Sequence, residues 1–219
     1  MLSQLDHIIF PDRCEVIEII PSQRYVYPIF KNCSTSLRVA AKQNKWRIRV
    51  NEQIKKINSI DVILREPQDR LISGINTFIQ LILRDNPGLD RTTVQWFAQH
   101  YLYLNRHYCP QFLWLVNLAR FLNTDTKLNF ISMNDIDTIT TIHRNPDGII
   151  TATSNFVNEI NEIKNNEMYH RIDTILFRCI GNSMSFCQLL QHIKNSDNVA
   201  YEYVIGNAQR ILNPIYVLS

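Results

Sequence analysis

The stretch that decides the fold is Tyr25–Arg38, which reads YVYPIFKNCSTSLR. Its aromatic and β-branched beginning predicts a buried strand over residues 24–30. A helix is predicted over residues 34–44, and a second strand and helix follow over residues 58–64 and 68–84. Because strands alternate with helices, the pattern favours an α/β fold with a parallel central sheet flanked by helices.

The turn between the first strand and its helix is suited to binding an anion. It carries Lys31, followed by three hydroxyl side chains where the helix begins, Ser34, Thr35 and Ser36. The first N–H groups of a helix have no partner within it, and the helix dipole is positive at that end, so a phosphate fits there. The turn differs from the common nucleotide P-loop, G-x-x-x-x-G-K-[ST], because no glycine precedes the lysine.

The second strand leads into a similar turn. Arg65 follows the strand, Pro67 suits the first turn of the next helix, and Ser73 stands about two turns further on. In an α/β sheet the carboxyl ends of parallel strands form the edge at which ligands bind. We therefore expect Arg65 and Lys31 to share that edge.

Three segments resemble motifs of the sulfotransferases, in the order in which that family carries them. Lys31–Ser36, KNCSTS, resembles the 5′-phosphosulfate loop, and Arg65–Ser73, REPQDRLIS, resembles the 3′-phosphate motif R-x-P-x-x-R-x-x-S. His107–Gln111, HYCPQ, resembles the H-x-x-P-Q segment of the membrane-type carbohydrate sulfotransferases. The second of these is the most specific. Together they span the first half of the chain, and the second half shows no clear motif of the family.

The resemblance implies a P-loop-like, nucleotide-binding sulfotransferase fold. The donor would be 3′-phosphoadenosine 5′-phosphosulfate (PAPS), the product adenosine 3′,5′-bisphosphate (PAP), and the acceptor a hydroxyl group, expected to belong to a glycan. No metal is required, because cationic side chains and loop amides neutralise the charge. The residues expected to bind the nucleotide are Lys31, Asn32, Cys33, Ser34, Thr35, Ser36, Arg65 and Ser73.

Two residues are expected to carry the chemistry of sulfuryl transfer. Lys31 would neutralise charge on the bridging oxygen or the leaving phosphate. His107 is the candidate general base because its intrinsic pKa suits proton transfer near neutrality. His100 is the second choice for the base, and Glu66 and Asp69 are further alternatives that stand close to the 3′-phosphate motif.

Two residues inside the motifs, Cys33 and Arg70, carry expectations of their own. Cys33 stands where the family usually has glycine or alanine, so a positive φ at this position would carry a conformational cost. Arg70, inside the 3′-phosphate motif, is expected to pair with Asp69 or another acid rather than to contact a ligand.

Composition restricts the other functional classes. A length of 219 residues predicts one domain, and a net charge of +3 is too small to indicate nucleic-acid binding. The 5 scattered cysteines suggest a reducing compartment. Without a signal peptide or a spanning apolar run, we expect a soluble, cytoplasmic protein of bacterial or viral origin, or alternatively a trimmed catalytic domain. The motif region also holds a basic cluster, interpreted first as a solvated face and alternatively as a field that attracts a polyanionic nucleotide or an acidic substrate. Its members are Arg38, Lys42, Lys45, Arg47, Arg49, Lys55 and Lys56.

Two other functions stay open beside the sulfotransferase. One is a binding or assembly module that keeps the fold without catalysis. The other is a nucleotide kinase with a divergent phosphate loop, although no glycine-rich loop or magnesium-binding acid after a strand supports it. The acceptor and the oligomeric state are not specified by the sequence.

The remaining elements are predicted from periodicity and caps. An edge strand is expected within residues 16–20. Further strands are expected over residues 46–50 and 128–131, and residues 112–118 could also form a strand. Helices are expected over residues 92–104, 134–142 (capped by Asn134), 153–164, 183–194 and 199–212.

Overall fold

The structure is a computed structural model, and it describes residues 13–74, 77, 88, 107, 109–140 and 167–211. The helices predicted over residues 92–104 and 153–164 lie outside these ranges, as does His100.

Within these ranges the chain is a mixed α/β fold built on a six-stranded sheet with the order β3-β1-β2-β4-β5-β6. The strands are β1 (Glu15–Ile19), β2 (Arg24–Tyr27), β3 (Arg47–Val50), β4 (Ser59–Leu64), β5 (Lys127–Ser132) and β6 (Ser183–Ser185). The three middle strands, β2, β4 and β5, are parallel, whereas β1, β3 and β6 run antiparallel to their neighbours. The expectation of a parallel central sheet therefore holds only for the middle of the sheet.

Helices connect and cover the strands. They are α1 (Ser34–Gln43), α2 (residues 67–74), α3 (Gln111–Ala119), α4 (Glu167–Phe177), α5 (Phe186–Ser196) and α6 (Asn198–Ile211). Two short 3₁₀ helices, Asn51–Lys56 and Met133–Thr138, follow β3 and β5. No helix in the described ranges combines the length and the apolar character needed to cross a bilayer.

Both faces of the sheet are buried, as the alternation along β4 illustrates. Ile60, Val62 and Leu64 belong to a core shared with α3, α4 and α5. Ile63, between them in sequence, packs with Leu37 of α1 in a second core on the other face. Because side chains alternate along a strand, one apolar strand supplies both cores.

The structure corrects several sequence-based boundaries. The first strand ends at Tyr27 rather than residue 30, because Pro28 has no N–H to continue the ladder. The strand predicted at the edge is β1, but β1 lies between β3 and β2, so β3 is the edge strand. Residues 112–118 form helix α3 rather than a strand. An apolar run cannot be assigned by period when its helix is buried on nearly every side.

Two helix starts are also shifted. The segment predicted to begin at Asn134 is a 3₁₀ helix capped by Ser132, whose Oγ accepts from the Asn134 N–H at 3.2 Å. The helix predicted from residue 183 begins at Phe186, after β6, with Ser185 and Gln188 forming a capping box. Helix α4 was not predicted.

The parallel arrangement brings three connections to one edge of the sheet. β2, β4 and β5 end at Tyr27, Leu64 and Ser132, and the segments that follow contain Lys31, Arg65 and Met133. The predicted shared edge is therefore present.

Candidate functional site

A cavity of about 350 Å³ opens at this edge, and residues from all three predicted motifs line it. We call it the Lys31 cavity. Its predicted members are Lys31, Cys33, Ser34, Thr35, Ser36, Arg65, Ser73 and His107, and it is completed by Phe30, Arg38 and Met133. Asn32 is the one predicted nucleotide-binding residue that does not line it.

The charge of the Lys31 cavity favours an anion. Lys31, Arg38 and Arg65 are cationic, and none of the described lining residues is acidic. Arg38 also pairs with Glu15 at 3.3 Å, outside the cavity lining. A concave surface that concentrates positive charge in this way attracts polyanionic ligands.

The loop that leads into α1 adopts an unusual backbone conformation. Lys31 and Cys33 have left-handed φ angles of 69° and 61°. Asn32, between them, closes a turn in which its N–H donates to the Ile29 carbonyl at 3.1 Å. A left-handed non-glycine residue costs about 1–2 kcal/mol, so the cost expected for a positive φ at Cys33 applies.

The N-terminus of α1 faces the same cavity. Cys33 is the N-cap residue and provides no side-chain capping hydrogen bond. The Leu37 N–H donates to the Cys33 carbonyl at 2.9 Å, so the three preceding N–H groups, of Ser34, Thr35 and Ser36, are the ones that a helix leaves without an intrahelical acceptor. These three residues line the cavity, where such N–H groups suit phosphate oxygens.

Lys31 is connected across the cavity to α2. Its Nζ donates to the Thr77 Oγ1, and the Thr77 hydroxyl donates to the Ser73 carbonyl at 3.1 Å. Thr77 was not predicted as a site residue. On the other side, the Arg65 Nη1 donates to the Lys31 carbonyl at 3.2 Å, so the Arg65 guanidinium, which follows β4, is anchored to the loop that carries Lys31 after β2.

Behind the cavity lies a set of buried polar residues that we call the buried clamp: Asn32, Arg70, Gln111 and Asp173. The Asn32 Nδ2 donates to the Ile63 carbonyl at 2.7 Å and to the Gln111 Oε1 at 2.6 Å. The Gln111 amide also pairs with the backbone of Arg65, accepting from its N–H at 3.0 Å and donating to its carbonyl at 2.9 Å. Gln111 therefore fixes the loop after β2 and the loop after β4 relative to each other.

Asp173 of α4 supports Gln111 in turn. Its carboxylate accepts from the N–H groups of Gln111 and Phe112 at 2.8 and 3.1 Å, at the first turn of α3. Burial raises the pKa of Asp173, while the Arg70 charge and these hydrogen bonds act in the opposite direction. Asp173 is therefore a buried acid that interacts electrostatically with Arg70.

Arg70 holds the backbone rather than a ligand. It is buried, its Nε donates to the Phe30 carbonyl at 3.1 Å, and its Nη1 donates to the Cys109 carbonyl. The expected ion pair between Arg70 and Asp69 is not formed. Instead the Asp69 N–H donates to the Glu66 carboxylate at 2.8 Å.

His107 packs beside Phe30 in the wall of the Lys31 cavity. The two ring centroids are 5.5 Å apart, with an interplanar angle of 31°. His107 lines the cavity that contains Lys31. Its role as base stays a prediction.

Sequence reasoning missed several members of the site. Arg38 was seen only as part of a basic cluster, and Gln111 only as the last letter of a motif. Thr77 could have been suggested by its position one turn after Ser73. Asp173 had no local signal, because its partners lie about 60 residues earlier in the chain.

Among the residues described, no three His, Cys, Asp or Glu side chains are grouped so that they could hold a metal ion. Comparison with known proteins identifies no relative: no protein-family model matches the chain, and no curated protein or solved structure matches it significantly.

Proposed function

We propose that this chain is a PAPS-dependent sulfotransferase with a P-loop-like fold, which moves a sulfuryl group to a hydroxyl acceptor of the carbohydrate class. One observation carries the proposal. Three motifs that are separated in the sequence line one cationic cavity at the carboxyl edge of the parallel strands.

The cavity offers separate places for the two phosphates of the donor. The N–H groups at the start of α1, together with Lys31, suit the 5′-phosphosulfate. Arg65 and Ser73, on the β4 side, suit the 3′-phosphate, since arginine binds phosphate with two parallel hydrogen bonds. A requirement for the 3′-phosphate would distinguish PAPS from ATP.

The chemistry follows from these positions. The acceptor oxygen forms a bond to sulfur while the bond from sulfur to the bridging phosphate oxygen breaks. Lys31 leaves Thr77 and neutralises the charge that develops on the leaving phosphate, and His107 takes the proton from the acceptor hydroxyl. The buried clamp keeps both loops in position, which matters because transfer depends on in-line alignment.

Release of PAP from PAPS in the presence of a mixture of oligosaccharides tests the proposal. Lys31→Ala should lower kcat by about 10²–10³-fold, and His107→Ala by at least about 10²-fold, with the fold unchanged. The matched control is Arg178→Ala, an exposed cation at the end of α4 that does not line the Lys31 cavity.

The outcomes separate the alternatives. PAP binding without any turnover would favour the binding module. Phosphoryl transfer from ATP that requires magnesium would favour the kinase. Equal turnover in Lys31→Ala and in the wild type would contradict the proposed site.

A further inference from the structure

A second cavity, of about 400 Å³, adjoins the Lys31 cavity. The two cavities share Phe30 and Arg38 in their walls, so they are adjacent. We call the second one the Arg13 cavity. Its other lining residues are Arg13, Cys14, Glu15, Tyr27, Pro28, Trp114 and Asn117. No residue of the three sulfotransferase-like motifs is among them.

The sheet order places the Arg13 cavity opposite the 3′-phosphate position. β1 lies on one side of β2, and β4 lies on the other. Glu15 begins β1 beside the carboxyl end of β2, whereas Arg65 follows β4. A ligand in the Arg13 cavity would therefore approach the Lys31 loop from the side away from Arg65 and Ser73. In-line transfer places the acceptor oxygen opposite the bridging oxygen of the leaving 5′-phosphate at the Lys31 loop, and an acceptor on the β1 side leaves Arg65 and Ser73 to the 3′-phosphate.

An aromatic wall connects the two cavities. The Phe30 ring is 5.0 Å from the Trp114 ring and 5.5 Å from the His107 ring, measured between centroids. Trp114 faces the Arg13 cavity and His107 faces the Lys31 cavity. Aromatic walls with a few polar groups are typical of sites that bind ring-shaped small molecules. A ring held against Phe30 and Trp114 could present a hydroxyl toward His107.

The polar wall of the Arg13 cavity carries a surplus of positive charge. The Glu15 carboxylate accepts from both Arg13, at 2.8 Å, and Arg38, at 3.3 Å. One carboxylate thus faces two guanidinium groups. Burial raises the pKa of Cys14 to about 12, so this thiol adds no negative charge near neutral pH. Arginine pairs favourably with planar carboxylates and with sulfate-like groups.

From these observations we infer that the Arg13 cavity is the acceptor site, and that it selects a saccharide bearing an acidic group, which Arg13 and Arg38 bind. The inference rests on the proposed function and extends it to the class of acceptor. Arg13 is the recognition residue of choice for a test, because its side chain is 65% exposed and it lines the Arg13 cavity but not the Lys31 cavity.

Calorimetric titration with and without saturating PAP tests the inference. The probes are a tetrasaccharide of alternating glucuronic acid and N-acetylglucosamine, and the same tetrasaccharide with its carboxyl groups reduced. The acidic probe should bind the wild type at least tenfold more tightly than the reduced probe, and Arg13→Ala should weaken its binding at least tenfold. Arg13→Lys should recover part of the loss. The control is Arg47→Ala, an exposed arginine on β3 outside both cavities.

The contradicting outcomes are distinct from failure of the donor site. Absence of PAP binding overturns the proposed function. The titration without PAP still tests whether the Arg13 cavity binds the acidic probe. Equal affinity for the two probes, no binding of the acidic probe, or an Arg13→Ala variant that binds like the wild type overturns the inference.

Discussion

The Lys31 cavity contrasts with a larger cavity of about 900 Å³ formed mainly by α4 and α5. Of the described residues that line the Lys31 cavity only Thr35 is exposed, whereas most residues lining the larger cavity are exposed. The larger cavity is lined by Gln68, Arg171, Thr174, Ile175, Arg178, Cys179, Asn182, Met184, His192, Ser196 and Asp197.

The support behind the two cavities differs as well. The buried clamp lies behind the Lys31 cavity and fixes its two loops. In the larger cavity the main charged pair, Arg171 and Asp197 at 2.5 Å, is partly exposed, and Asp197 also caps α6 by accepting from the Ala200 N–H at 3.0 Å. Volume alone does not identify a binding site. Ordered, convergent polar groups with a rigid support are the better guide.

The largest expected effect is on stability, and it contrasts Asp173, behind the Lys31 cavity, with Asp197, in the lining of the larger cavity. Asp173→Ala leaves two buried N–H groups and the Arg70 charge without a carboxylate, so it should lower the free energy of unfolding by about 3–5 kcal/mol. Asp197→Ala removes a helix cap and a surface pair, which should cost about 1 kcal/mol. Denaturant unfolding measures both. Equal losses in the two variants would remove the distinction between the cavities.

A smaller effect is expected for the amide that joins the two loops. Gln111→Met keeps the volume but leaves the Asn32 amide and the Arg65 backbone without their partner, which should cost about 2 kcal/mol. Gln188→Met removes only part of an exposed capping box on α5, and should cost at most about 1 kcal/mol. Denaturant unfolding of both variants is the measurement. A Gln111→Met variant as stable as the wild type would contradict the structural role assigned to Gln111 in the buried clamp.

The strained loop provides a prediction in the stabilising direction. Glycine adopts a left-handed φ without a steric penalty, so Cys33→Gly should raise the free energy of unfolding by about 1 kcal/mol. Cys187→Gly, at an exposed position inside α5, should instead lower it by about 0.5 kcal/mol. Should both variants be destabilised, the left-handed conformation at Cys33 would carry no strain.

The smallest effects are pH dependences of opposite sign. The pKa of Asp173 is raised above 3.8 by burial, so the proton-linked part of its contribution to stability is fully present below pH 3.8 and is lost as the pH rises through the folded-state pKa. The pKa of Asp197 is lowered, first by the hydrogen bond from the Ala200 N–H, so its contribution is present above pH 3.8 and is lost as the pH falls. Unfolding of Asp173→Asn and Asp197→Asn against the wild type across pH 3–7 measures the difference. Slopes of the same sign would contradict it.

The sequence predicted the parts of this molecule that depend on local order. β4 and α1 follow from apolar period and turn chemistry, and the shared edge follows from the parallel arrangement of β2 and β4. Lys31, Arg65 and Ser73 could be placed in one cavity because each stands at a fixed distance after a strand.

The rest depends on contacts between distant residues. Asn32 was predicted to bind the nucleotide, but its side chain is buried against Ile63 and Gln111, which no local pattern indicates. The assignment of α3 was ambiguous because a helix buried on nearly every side has no exposed polar face to set its period. Asp173 acts through the first turn of α3 and through Arg70, which are distant in sequence, so it could be found only once α4 was placed.

The proposed function requires that the Lys31 cavity bind a nucleotide with a 3′-phosphate. Calorimetric titration with PAP, AMP and ATP, without metal, tests it most directly. We expect PAP to bind much more tightly than AMP or ATP, with a loss of about 10–100-fold in Arg65→Ala and no change in Arg178→Ala. No binding of PAP, a preference for ATP with magnesium, or a loss in Arg178→Ala rather than Arg65→Ala would contradict the account.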